Sequence, residues 1–302
     1  MQNVSSAAPD WRAEFRRLEG AYAPATIRSY MTDVAAFEDW CSAEGSVPFP
    51  ADADTVCQFI EGQSHEKSPS TIRRRLYAIR KIHRLLDLPD PTHNEDVNLS
   101  LRRVRRHKAN RPRQAKGLTH DFLNRFCDTQ PKTAIGLRNR AMLSIGYELL
   151  TRRSELVALR SDDLEERADG TFRVLIRRSK SDQYGAGRIA FTSRQTADLL
   201  RTWLDVRGPE INWLFCPVYH GTLIDRGLST STVRWVIKQA AKRACLDRAD
   251  IDAFSGHSMR VGAAQDLLKQ GFDTAAIMRA GGWKSVNVLA RYLEYAEHNV
   301  WA

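Results

Sequence analysis

Hydrophobic positions recur every three to four residues through much of the chain, first in PATIRSYMTDVAAFEDWCSAEG. There Ile27, Tyr30, Met31, Val34, Phe37, Trp40 and Cys41 share one face and Gly45 offers a stop, which predicts an amphipathic helix. A further helix is expected after Asp52 or Asp54. In SPSTIRRRLYAIRKIHRLLDLP, Ser68 suits an N-cap and Pro69 the first helical position. Ile72, Leu76, Ile79, Ile82 and Leu86 then form a stripe that leaves a basic face opposite. NEDVNLSLRRVRRHK reads as another short helix.

After Gly117 the pattern is mixed. Helical spacing runs through THDFLNRF, IGLRNRAMLSIGYELL, SRQTADLLRTWLDVR, STSTVRWVIKQAAKRA, SGHSMRVGAAQDLLKQG, DTAAIMRAG and SVNVLARYLEYA. TFRVLIRR alternates like a strand, GRIAFTS suits its partner, and the turn-rich SKSDQYGAG between them puts Lys180 on a hairpin. The expected class is mainly α with a small β-sheet. KANRPRQAK is basic and aperiodic, so the expected division is a helical domain over 1–107, a linker over 108–116 and a second domain over 117–302. That linker suits either a plain tether or a segment laid along a nucleic-acid backbone.

The composition, 42% hydrophobic and 27% charged over 302 residues, excludes wholesale disorder and has apolar material for more than one core. No apolar run approaches the ~18 residues of a membrane span and no signal peptide is readable, so a cytoplasmic location is expected. Cys41, Cys57, Cys127, Cys216 and Cys245 form no CxxC pair and read mostly as reduced core residues. The net charge of +10 is local: residues 1–66 carry 4 Lys and Arg against 11 Asp and Glu, whereas residues 67–116 carry 15 against 4. Arg73, Arg74, Arg80, Lys81 and Arg84 then suit phosphates or guanine edges, or simply a solvated helix face.

Metal-free phosphodiester cleavage needs a nucleophile, cations around the non-bridging oxygens and an acid for the leaving oxygen. Arg152 precedes Glu155 by three residues, so the carboxylate can pair with it or cap the next helix, and Arg153 is an alternative to Arg152. His257 and Arg260 have the spacing of one helix face near a helix start, which favours an anion. Trp283 follows paired glycines in AGGW, and Tyr292 lies nine residues on as the candidate nucleophile, with Tyr295 its rival one turn later. There is no P-loop, paired acidic metal site or HExxH, and Cys216 and His220 read as parts of the fold.

Together these segments carry a resemblance. SGHSMRVGAAQDLLKQGFDTAAIMRAGGWKSVNVLARY resembles the catalytic core of the tyrosine site-specific recombinases of the phage integrase family, LLTRRSELVALRSDDL its first-arginine box, and RRSKSDQYGAG its lysine hairpin. The helical region from about Pro24 to Arg106 is similar in its order of segments. The resemblance implies a two-domain DNA clamp, with an N-terminal core-binding domain and a C-terminal catalytic domain.

It further implies that Tyr292 attacks the scissile phosphate and stays attached as a 3′-phosphotyrosine. Arg152, His257, Arg260 and Trp283 would steady the phosphoryl group, Lys180 would protonate the 5′-oxygen, and Glu155 would support the site. No metal and no other cofactor is implied. The partner is a double-stranded DNA target built as an inverted repeat, exchanged through a Holliday junction by a homotetramer on two sites, a dimer on each. DNA contacts are expected at Thr26, Arg28, Arg73, Arg74, Arg80, Lys81 and Arg84, and at Arg106, Lys108, Arg111 and Arg113 along the backbone. Type IB topoisomerase-like relaxation and a non-catalytic DNA-binding regulator are the competing readings. Two departures stand out: Leu150 occupies a position where the family commonly has glycine, and only ten residues follow Tyr292, where Val300 and Trp301 suit either an apolar plug for a neighbouring subunit or a frayed tail.

Overall fold

The computed structural model describes residues 10–108, 114–177, 187–294 and 296. It divides into two compact units, Met1–Pro112 and Arg113–Ala302.

The main elements of the first unit's described residues are helices: α1 (Trp11–Glu14), continued by a 3-10 turn over Phe15–Leu18, then α2 (Pro24–Glu44), α3 (Ala53–Ser64), α4 (Pro69–Leu85) and α5 (Glu95–His107). Its starts follow the local chemistry. Asp52, Ser68 and Asn94 accept from backbone N–H groups of Thr55, Thr71 and Asp96, satisfying donors that an isolated helix leaves open. Gly45 closes α2 in the left-handed conformation at φ 68°. α2 packs on α4 and α3 on α5, burying Phe37, Phe59, Ile60, Ile72 and Ile79 between them. A second cluster joins Trp11, Phe15 and Leu18 to Val34 and Ile82. This N-terminal turn escapes a periodicity search because it is too short to show a period.

The second unit holds α6 (His120–Asp128), α7 (Ala134–Glu148), α8 (Arg153–Leu156), β1 (Leu164–Glu166), β2 (Phe172–Ile176), β3 (Arg188–Phe191), α9 (Arg194–Arg207), β4 (Val218–Tyr219), β5 (Thr222–Leu223), α10 (Thr230–Arg243), α11 (Arg248–Ala253), α12 (Ser258–Lys269), α13 (Thr274–Gly281) and α14 (Val286–Leu293). β2 and β3 pair antiparallel as their alternation predicts, and β1 adds a third strand to make the order β1-β2-β3. β1, the β4–β5 hairpin and α11 are not predicted from the sequence, being two to six residues each.

α7 runs through the centre. Its residues Ala141 to Tyr147 are all buried, with α6, α9 and α12 packed around them. α12 is equally enclosed from Ser258 to Gln265, which is why its apolar pattern lacks a polar side. Cys41 and Cys216 are buried as expected, whereas Cys245 is exposed, at φ 53° just after α10, because the helix ends there. His220 is also exposed, at the tip of the β4–β5 hairpin, edge-on to Tyr219. No described helix is long and apolar enough to cross a membrane.

Candidate active site

Three turns of the second unit converge on one buried cluster. The first follows α7: Leu149 caps the helix and Leu150 turns the chain at φ 47°, a left-handed conformation that costs a residue with a Cβ about 1 kcal/mol or more. A glycine there would avoid that cost, whereas Leu150 accepts it while burying its side chain at 3% exposure. Arg152 comes next as the N-cap of α8. Its Nη1 donates to Glu155 Oε1 at 2.6 Å, and its backbone N–H donates to Oε2 at 3.0 Å, so the carboxylate both pairs and caps. Arg153 is exposed and packs against Gly256 instead.

The second turn starts α12. The spacing places His257 and Arg260 on one helix face, but His257 is the exposed N-cap, its carbonyl accepting from the Val261 N–H at 3.0 Å, whereas Arg260 is wholly buried. The Arg260 guanidinium donates through Nη1 to the Leu150 carbonyl and through Nη2 to the Gly281 carbonyl at 2.7 Å.

AGGW makes the third. Gly282 ends α13 at φ 65°, and Gly281 is required sterically, since a Cβ there would lie 1.9 Å from the Trp283 ring. Trp283 is thereby laid over Arg260, whose Cζ is 3.9 Å from the ring centroid. Tyr292, half-buried on α14, stands edge-on to Trp283 with centroids 5.4 Å apart, and its carbonyl accepts from the side-chain amides of Gln114 and Gln265, both at 3.2 Å. Arg152, Glu155, Arg260, Trp283 and Tyr292 are therefore neighbours. Lys180 and Tyr295 lie outside the described residues, as do Val300 and Trp301.

One arginine of this cluster was not singled out in the sequence: Arg188, half-buried at the start of β3, reads there as an ordinary strand residue. Its Nη2 lies 3.9 Å from Glu155 Oε2, with 14% of its side chain exposed. Burial, with the Arg152 charge adding to it, pushes Arg188 and Arg260 down to about 10, so both stay charged at neutral pH. Among the described residues, three arginines thus share the field of one buried carboxylate, an excess of positive charge that suits an anion. Nε of Arg188, Nε of Arg260 and Nε1 of Trp283 are buried without an acceptor among the described residues. Among the described residues no group of three His, Cys, Asp or Glu side chains is arranged to hold a metal ion.

The basic face of the first unit is more occupied than its sequence suggests. Arg74 forms a two-point pair with the buried Asp33, at 2.7 and 2.8 Å, while Arg80 and Arg84 lean on Asp90 at 3.7 and 3.3 Å. Lys81 donates to the Tyr22 hydroxyl, and Lys108 to the carbonyls of His65 and Lys67. Arg28, Arg73 and Arg106 are exposed and Thr26 is half-buried. Arg73 donates to the Tyr77 hydroxyl on the next turn. A concavity between α4 and α5 brings Arg73 and Arg80 together with Arg102 and Arg105, two residues missed by reading α4 alone. Arg111 and Arg113 lie outside the described residues.

Comparison with known proteins shows the family. The phage integrase family matches residues 116–298, and the phage integrase N-terminal SAM-like domain matches residues 14–87. A xerD-homologue integrase/recombinase of Selenomonas ruminantium is 30% identical, over 92% of this chain and 84% of its own. The recombinase cre of Escherichia phage P1 is 28% identical, over 90% of this chain and 84% of its own. In fold the chain is similar to a XerH site-specific recombinase bound to a palindromic difH substrate, with a TM-score of 0.67 at 19% identity, covering 90% of this chain and 76% of that one. A catalytic-domain match across more than half the chain, behind a matching N-terminal domain, places this protein in the phage integrase family, as a tyrosine recombinase.

Proposed function

We propose that this recombinase acts on double-stranded DNA through Tyr292, and that the excess positive charge around Glu155 is the seat of the scissile phosphate. The observation that carries the reading is the cluster of Arg152, Arg188 and Arg260 around one buried carboxylate, with Trp283 and Tyr292 against it.

The Tyr292 oxygen attacks phosphorus, the bond from phosphorus to the 5′-oxygen breaks, and a 3′-phosphotyrosine forms. Lys180 supplies the proton to the departing 5′-oxygen, and a 5′-hydroxyl from a second duplex later reverses the step, returning the tyrosine. Arg152, Arg260, His257 and the Trp283 indole N–H hold the non-bridging oxygens, while Glu155 orients Arg152. Because the bond energy is kept in the ester, religation needs no nucleotide cofactor. Arg260 is covered by Trp283 and spent on backbone carbonyls, so engaging a phosphate requires these contacts to be exchanged for phosphate oxygens.

The N-terminal domain, residues 1–107, reads the DNA through α2 and α4, with Thr26, Arg28, Arg73, Arg74, Arg80, Lys81 and Arg84 toward the groove. Arg106, Lys108, Arg111 and Arg113 follow the backbone into the connector, and residues 117–302 carry the chemistry. Two chains occupy each inverted-repeat site and four complete the exchange.

The experiment is to select duplexes from a randomised pool, nick the selected site and look for a covalent protein–DNA adduct on a denaturing gel. An adduct with the parent chain and none with Tyr292→Phe is expected. An adduct that persists in Tyr292→Phe overturns the assignment, and recombination between two selected sites separates strand exchange from relaxation.

A further inference from the structure

Arg188 bridges the same two turns as Arg260, one residue out of step. Its Nη2 donates to the Leu149 carbonyl at 2.5 Å and to that of Leu150 at 3.4 Å, and its Nη1 donates to the Ala280 carbonyl at 2.7 Å. Arg260 joins Leu150 to Gly281. The two guanidiniums are parallel straps between the turn that presents Arg152 and the turn that presents Trp283. They are not equivalent. Arg260 comes from the interior of α12, whereas Arg188 is the first residue of β3, at the end of the hairpin that carries Lys180 in sequence.

We propose that Arg188 is a positioning residue of the recombination site: by holding the Leu149–Leu150 and Ala280–Gly281 turns together, it sets Arg152 and Trp283 for the phosphate, in partnership with Arg260. This rests on the reading of that site as the cleavage centre. Three features support it beyond the hydrogen bonds. The strap crosses a turn held at a positive φ by a leucine, which needs the surroundings to keep it there. Gly282 makes room for it, because a Cβ there would lie 3.0 Å from Arg188 Cδ. Its Nη2 also stands near Glu155, so the strap shares the carboxylate that orients Arg152. When Arg260 gives up its carbonyls to a phosphate, Arg188 keeps the two turns joined.

A plain surface ion pair or a stability prop would not couple these two turns to catalysis, and the test separates them. Arg188→Ala and Arg188→Lys are compared with the parent chain for retention of the selected duplex, for single-turnover adduct formation on the nicked site, and for urea midpoint. In parallel, chains labelled with 5-fluorotryptophan are examined by fluorine NMR without DNA, the Trp283 resonance being assigned with Trp283→Phe. The expected result is duplex retention within about threefold, adduct formation slowed on the order of 100-fold in Arg188→Ala, partial recovery in Arg188→Lys, and a shifted or broadened Trp283 resonance.

Adduct formation within threefold of the parent in Arg188→Ala overturns the proposal. So does a slowed reaction that tracks the urea midpoint while the Trp283 resonance stays in place, which would mark a structural prop. If the parent chain forms no adduct, the site reading itself fails, whereas an unmoved Trp283 resonance in Arg188→Ala counts against the strap whatever the DNA result.

Discussion

Trp283 lies over the guanidinium of Arg260 with 3.9 Å between Cζ and the ring centroid, and it is 6% exposed while Arg260 is fully buried. The ring is a lid on the charge, and in the proposed mechanism its N–H is also a donor to phosphate. Replacing it separates the two roles. Trp283→Ala is expected to cost about 3–5 kcal/mol of stability from the lost buried ring. Trp283→Phe keeps a ring on the charge and removes an unpaired N–H, so its urea midpoint is expected near that of the parent, while loss of the donor to phosphate slows adduct formation by roughly 10- to 100-fold. Equal adduct rates for Trp283→Phe and the parent would remove the indole N–H from the mechanism.

Glu155 is the single buried carboxylate among Arg152, Arg188 and Arg260. Glu155→Gln keeps an oxygen for the Arg152 N–H but leaves the cations unbalanced, and a stability loss of about 3–5 kcal/mol is expected. Arg173→Ala, which breaks an exposed pair with Glu165, is expected to cost less than about 1 kcal/mol. Chemical denaturation of the two variants checks the contrast.

Leu150→Gly sets two effects against each other. Relief of the left-handed backbone is worth about 1 kcal/mol. Loss of the buried side chain costs about 2–5 kcal/mol, so the variant is expected to be less stable than the parent although it carries the family's usual residue. A raised urea midpoint would show that strain outweighs packing at this turn.

His83 is fully buried in the first unit, its Nδ1–H donating to the Ile79 carbonyl and its Nε2 accepting from the Ala51 N–H. Burial lowers its pKa below the ordinary 6.5. The unfolded chain therefore binds this proton more readily than the folded one. The contribution of His83 to stability is complete above pH 6.5 and is lost as pH falls below that value toward the folded-state pKa. Urea midpoints of residues 1–112 within the intact chain, read by a probe on α4, are expected to drop between pH 7 and pH 5, and less so in His83→Gln.

On the basic face, Arg102→Ala or Arg105→Ala is expected to weaken retention of DNA without strong sequence preference and to reduce the slope of log affinity against log salt by about 1 each. A titration series across salt concentrations reads this directly.

Much of this was legible in the sequence, and the reason is local. Ser68, Asp52 and Asn94 are caps whose chemistry does not depend on the rest of the fold, and the stripe of Ile72, Leu76, Ile79 and Ile82 has one possible inside. The order of Arg152, His257, Arg260, Trp283 and Tyr292 pointed to a shared site. What stayed hidden depends on contacts between distant segments: the partnership of Arg188 with carbonyls on α7's far end and on α13, and the Asp33 side chain that occupies Arg74. No spacing along β3 distinguishes a strand-edge arginine from one that reaches inward. The enclosure of Arg260 was likewise invisible, because an arginine in a helix reads as surface unless its neighbours are known.

The two glutamine amides on the Tyr292 carbonyl have a further effect. They arrive from Gln114, just ahead of α6, and from Gln265 on the enclosed α12, so the backbone of α14 is moored from upstream on two sides. The phenol can swing about its own side-chain bonds while its main chain holds station, and substitutions downstream of Leu293 can accumulate without shifting the oxygen proposed to attack phosphorus.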